Sequence, residues 1–190
     1  VSCEGWFDYR HGWLQPINST LERKRMLAND LGPMCGASGS LVFTWPDPEP
    51  RLWREVLKPW TAHLEEIRYV GPFDVNSIID YETHTPHFLE TTPRFGWSAF
   101  NALMAGLEMD LGDYFVALGR GEAPTMRFRH PFMGAVRVAI PEAENVPIMA
   151  PYHAVRHLQM KDVWRDKGVL RTTGAGAESG FVTIFEATDA

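Results

Sequence analysis

Cysteine is nearly absent from this chain: Cys3 and Cys35 are the only two. They are too few for a disulfide framework and have no metal-site spacing, so a reduced setting is expected. Positive charge is also short. Eighteen Lys and Arg face 24 Asp and Glu, a net charge of −6. That balance lacks the basic footprint by which proteins hold nucleic acid or anionic membranes, and neither partner is expected. No apolar run approaches the roughly 18 residues of a membrane-spanning helix, and the opening residues do not read as a secretory leader. A cytoplasmic location is the resulting expectation. Internal repeats and low-complexity segments are missing too. The seven histidines include His153 and His157, four residues apart, but no third ligand or zinc-protease pattern accompanies them. His84 and His87 fall at a turn.

What remains is an ordinary globular composition. With 45% apolar residues in 190, the chain can bury one sizeable core, or one core and a small appendage. Residues 1–8 and 13–17 read as strands around the turn Tyr9-Arg10-His11-Gly12. Asn18 to Gly39 reads mostly as loop, with a basic cluster and closing glycines. Leu41 to Trp45 is a short apolar strand, stopped by Pro46, Pro48 and Pro50. Leu52, Val56, Leu57, Trp60 and Leu64 follow a helical face over 51–67, which Pro59 should kink or split. Residues 68–91 form a hairpin with a turn near Glu82 to Thr85. Helices are expected at Trp97–Leu107 and at about 110–118. Gly119 to Pro124 breaks the pattern, so 1–122 and 123–190 are read as separate units. The second is short-stranded, at 134–140 and 181–187, with Pro141 to Pro151 and a glycine-rich turn at 174–180 between. Trp6, Trp13, Trp45, Trp53 and Trp60 lie among apolar neighbours and read as core.

One stretch carries chemistry. In Phe88-Leu89-Glu90-Thr91-Thr92-Pro93-Arg94-Phe95-Gly96, extended backbone would place Glu90, Thr92 and Arg94 on one face. A carboxylate can hold Mg²⁺ and a guanidinium can hold a phosphoryl group beside it, the parts needed to phosphorylate an acid. A plain surface ion pair is the alternative for this triplet. Upstream, Gly71-Pro72-Phe73-Asp74-Val75-Asn76 forms the other arm of the hairpin, so Asn76 can lie near Glu90. Asp74, on the same face, offers either further negative charge or a turn cap.

The pattern G-x-x-D-x-N, a turn, then E-x-T-x-R-F-G resembles the metal-binding hairpin of the ATP-grasp ligases. A second block, Glu22-Arg23-Lys24-Arg25 followed by Asp30-Leu31-Gly32-Pro33-Met34-Cys35-Gly36-Ala37-Ser38-Gly39, resembles the D-H-K-R … D-x-G-P-N-T-G-G-M-G segment of the phosphoribosylamine–glycine ligases. Arg94-Phe95-Gly96 continues that family's hairpin, and Val1 to Gly5 resembles its E-V-S strand. Thr92 replaces the family's Asn, and Trp97-Ser98-Ala99 replaces its D-P-E.

The resemblance implies an α/β fold: the C-terminal half of an ATP-grasp domain, with antiparallel sheet and packed helices, plus a small β-rich tail. It implies ATP and Mg²⁺ (or Mn²⁺) as cofactors, with Glu90, Asn76 and Thr92 at the metal and Arg94 on the transferred phosphoryl group. Lys24, Arg25, Asp30, Gly32, Gly36 and Gly39 would receive an anionic substrate. The implied reaction joins a carboxylic acid such as glycine to an amine such as phosphoribosylamine. Most of the nucleotide pocket would then lie upstream, in a longer ligase. A relative joining another acid and amine, or a non-catalytic scaffold with degraded metal ligands, are the open alternatives.

Overall fold

A computed structural model describes residues 1–139, 147, 149, 152–155, 158–160, 163–172 and 181–188. Its centre is an eight-stranded antiparallel sheet in the order β5-β4-β1-β2-β3-β6-β10-β7. The strands are β1 (Ser2–Asp8), β2 (Gly12–Arg25), β3 (Met34–Thr44), β4 (Val70–Ile79), β5 (Pro86–Thr92), β6 (Phe132–Ala139), β7 (Leu158–Met160) and β10 (Phe181–Thr188). A separate hairpin pairs β8 (Val163–Asp166) with β9 (Val169–Thr172). The helices are α1 (Thr61–Glu66), α2 (Trp97–Gly106), α3 (Leu111–Gly119) and the short α4 (Tyr152–Val155). None of the described helices is long and apolar enough to cross a membrane.

The first turn lies where the sequence puts it, with Asp8 paired to Gly12. Gly12 adopts φ +78, a left-handed conformation that glycine takes without a Cβ penalty. The expectation of loop over 18–39 is corrected. β2 runs unbroken to Arg25, β3 starts at Met34, and only residues 26–33 turn between them. Glycine, serine and basic residues have little strand preference of their own, but pairing to neighbours on both sides imposes extension. Leu41 to Thr44 is therefore the end of a long strand. The helical segment after Pro50 splits at Pro59, as its ring requires. A π-helical turn at Trp53–Leu57 gives way to a 3₁₀ turn at Lys58–Trp60 and then to α1.

Alternation divides the sheet into two unlike faces. On one, Cys3, Phe7, Ile17, Phe73 and Val75 pack against Trp53, Val56, Leu57 and Leu64. On the other, α2 lays Ala99, Ala102 and Leu103 over Val42, Met133 and Ala135. Close approach is obligatory there, since a Cβ on Gly106 would stand 2.4 Å from the Met133 sulfur. α3 buries Tyr114 and Leu118 against Leu14 and Met126. Its start is capped by Asp110, which accepts from the Gly112 and Asp113 amides at 2.6 and 3.3 Å. Strands expected beyond residue 122 occur at 132–139 and 181–188, and β6 pairs directly with β3, Gly39 opposite Val136. The sheet thus crosses the 122/123 division. The expected turn at 174–180 and most of Pro141 to Pro151 lie outside the described residues.

Candidate functional site

The hairpin of β4 and β5 sets the site's register. Asn76 stands opposite Glu90, and Asp74 opposite Thr92. β1 lies on the other side of β4 and extends both rows, placing Ser2 opposite Asn76 and Glu4 opposite Asp74. β2 adds Thr20 beside Ser2 and Asn18 beside Glu4. Four strands thus present one polar field on the face that α2 only partly covers. Because opposite residues in an antiparallel pair share a face, the field follows from pairing alone.

At its centre is Glu4, fully buried. Its carboxylate accepts from the Ser2 and Thr20 hydroxyls at 2.9 and 3.1 Å, from the Asn18 amide, and from the backbone N–H of Gly96 at 3.4 Å. Burial still pushes its pKa up, against those four donors. Asp74 is nearly as buried. Its Oδ2 accepts from Asn76 Nδ2 at 2.9 Å and Thr92 Oγ1 at 3.4 Å, while Oδ1 is buried without a partner. Desolvation, with the negative charges of Glu4 and Glu22 adding to it, pushes Asp74 up to about 8. Asp74 is therefore part of the polar field rather than a turn cap.

α2 begins on top of this field. Gly96 is its N-cap and sits close over both carboxylates: a Cβ there would lie 3.1 Å from Glu22 Oε1 and 3.6 Å from Glu4 Oε1. Glu22 in turn pairs with Lys24, Nζ to Oε2 at 2.5 Å. Lys24 is thereby held at the border of the field. Arg25 is not; its Nη1 donates to the Gly32 carbonyl at 3.1 Å, bracing the turn between β2 and β3. Asp30 and Gly32 belong to that exposed turn, with φ of 56 and +82, and Asp30 stands 3.6 Å from Arg23. Gly36 and Gly39 lie in β3 itself, Gly39 against the Ala135 carbonyl. The six candidate anion-binding residues are thus split between the field's border, a turn and a strand.

Glu90 is exposed and makes no hydrogen bond or ion pair among the described residues. Thr92 donates to the Arg94 carbonyl at 2.9 Å, just past the end of β5. Arg94 is exposed, with Nη1 donating to the Phe95 carbonyl at 3.1 Å. It lines a cleft with Trp6, Pro72, Phe95, Trp97 and Phe100. Trp6 and Pro72 sit opposite each other, two residues along from the Glu4–Asp74 pair. Sequence reasoning placed neither Asn18, Thr20, Glu22 nor Trp6 in a site, and Glu4 only within a resembled strand. The available signal was Ser2 and Glu4 alternating with Cys3 at the start of a short strand.

The oxygen donors on these strands are of the type that a hard divalent cation takes. Mg²⁺ takes hard oxygens and keeps several waters. Here an orphaned Asp74 oxygen, the exposed Glu90 carboxylate, Thr92 and Asn76 occupy adjacent register positions. No group of three or more His, Cys, Asp or Glu among the described residues is placed to hold a metal. His157 lies outside the described residues, so the His153/His157 spacing has no structural counterpart here.

No protein-family model matches the chain, and no curated protein matches it in sequence. A solved structure does: a crystal structure of phosphoribosylamine–glycine ligase from Thermotoga maritima, at a TM-score of 0.64 and 17% identity. The match covers 100% of this chain and 48% of the ligase, so the chain spans about half that enzyme's length. This chain has a partial ATP-grasp-like fold, a mixed α/β architecture built on an antiparallel sheet.

Proposed function

We propose that this chain supplies the metal- and phosphoryl-binding half of an ATP-dependent carboxylate–amine ligase of the phosphoribosylamine–glycine ligase type. The observation that carries the reading is the register of β1, β4 and β5, which gathers Glu4, Asp74, Asn76, Glu90 and Thr92 on one face of an ATP-grasp-like sheet. In the proposed reaction a carboxylate oxygen attacks the γ-phosphorus of ATP, and the bond from that phosphorus to the ADP oxygen breaks. An amine nitrogen then attacks the acyl-phosphate carbon; phosphate leaves and the nitrogen loses a proton to water. Glu90, Asp74, Asn76 and Thr92 would hold Mg²⁺ or Mn²⁺, which when bound offsets charge on the nucleotide phosphates.

The chain's own residues have distinct tasks. Arg94 holds the transferred phosphoryl group, where a planar guanidinium can donate two parallel hydrogen bonds. Glu4 accepts from side chains of β1 and β2 and from the start of α2, and so fixes the platform on which Asp74 stands. Lys24, beside Glu22, meets the anionic substrate at the field's border. Arg25, Asp30, Gly32, Gly36 and Gly39 complete that side through their turn and strand, and glycine and phosphoribosylamine are the proposed acid and amine.

The test is Mg²⁺-dependent ADP release by the full polypeptide that carries this chain, with glycine and phosphoribosylamine generated in place. Release should require both substrates and fall at least about 100-fold in Glu90→Ala, the size expected when a group stabilising phosphoryl charge is removed. Release independent of both substrates, or undiminished in the variant, would sink the reading.

A further inference from the structure

The cleft beside Arg94 has a chemistry of its own. Its volume is about 490 Å³, within the roughly 300–1,000 Å³ of small-molecule sites. The walls are Trp6, Pro72, Phe95, Trp97 and Phe100 with the polar Asn101, and the Arg94 cation stands among them. Trp6 is fixed in place by edge-to-face packing on Phe95, Tyr114 and Phe115 at 5.8, 5.4 and 5.6 Å between ring centroids. Its indole N–H is buried and has no hydrogen-bond partner among the described residues. Arg94 has no carboxylate partner among the described residues, and most of its guanidinium donors are uncommitted.

From these features we infer that the cleft binds a carboxylic acid bearing an aromatic or bulky apolar group. The carboxylate pairs with Arg94, and the apolar group lies against the aromatic walls. Glycine has no side chain to meet such walls, so an occupied cleft selects the alternative in which the ligase takes an acid other than the glycine proposed above. The cleft adjoins the Glu4–Asp74 row through Trp6 and Pro72, so the bound carboxylate sits beside the polar field. This assignment rests on the ligase reading only for what happens to the acid next; binding itself requires neither nucleotide nor metal.

The indole N–H resonance of Trp6, assigned with Trp6→Phe, reports occupancy directly. Phenylacetate, phenylethanol and glycine are titrated separately into the chain without nucleotide or divalent ion. Phenylacetate should shift the resonance saturably, with glycine and phenylethanol at least about tenfold weaker. Arg94 is exposed, so Arg94→Met should leave the rest of the spectrum unchanged and weaken phenylacetate at least about tenfold. No saturable shift, equal binding of phenylethanol or glycine, or unchanged phenylacetate affinity in Arg94→Met would each overturn the assignment. A phenylacetate shift in a protein that releases no ADP would keep the cleft and discard the ligase. ADP release that depends on glycine, with no phenylacetate shift, would do the reverse.

Discussion

The same two central strands face opposite solvents of the protein's own making. β1 and β4 turn Cys3, Phe7, Phe73 and Val75 to one side, beneath a helical segment that seals them. To the other they turn Ser2, Glu4, Asp74 and Asn76, over which α2 contributes only its first turn. One face gains stability by removing apolar area from water. The other accumulates two buried carboxylates whose pKa values burial raises, with the charge of Glu4 adding to the rise at Asp74, an arrangement that costs stability. Packing and chemistry are thus separated by a single residue of alternation.

Three perturbations would break or sharpen that contrast. The largest is expected on the apolar face. Phe7 is fully buried, and Phe7→Ala should lower the unfolding free energy by about 3–5 kcal/mol in chemical denaturation. A loss below about 1 kcal/mol would mean this face is not the main source of stability.

The second concerns the polar face. With Asp74 raised to about 8 from an ordinary value of 3.8, the folded state keeps a proton that the unfolded chain releases between those values. Stability is then greatest at low pH and falls as pH rises toward 8, by up to about 1.4 kcal/mol per pH unit, in the absence of divalent ions. Asp74→Asn should flatten that slope, and thermal melts across pH 5 to 8 compare the two proteins. A wild-type slope of the opposite sign would remove the repulsion described here.

The smallest effect lies at the seam between α2 and the sheet. Ser40 and Ser98 share a buried hydrogen bond of 2.6 Å, and Ser98→Ala leaves one hydroxyl unpaired. About 1–3 kcal/mol should be lost, toward the lower end because the Ser40 hydroxyl can rotate. A stabilised variant would show that α2 is positioned by its apolar stripe alone.

Much of this was legible in the order of residues. The β4–β5 hairpin could be read from its turn and alternation, and Asn76 does stand opposite Glu90. The break at Pro59 follows from ring geometry. The long β2–β3 hairpin was not legible, because Lys24, Gly36, Ser38 and Gly39 favour turns, and only neighbours on both sides make them extended. The site was legible along one strand pair and hidden across the others. Glu4 meets Asn18 and Asp74 through strands fourteen and seventy residues away, and no local pattern announces such a meeting. The aromatic cleft was hidden for a related reason, since tryptophan among apolar neighbours reads as core whether it seals a wall or lines one.

The sheet order also carries a consequence for how the molecule is made. β1, β2 and β3 are joined by short turns, whereas β4 must return across nearly the whole described N-terminal half to pair with β1. Local hairpins close early and cheaply; remote pairings wait for loop-closure entropy to be met. A nascent chain holding only its first three strands contains Glu4 with its hydroxyl and amide donors, but no opposing carboxylate. The repulsion arrives with β4. The polar field is therefore completed only when β4 docks, on a platform that β1 and β2 have already made.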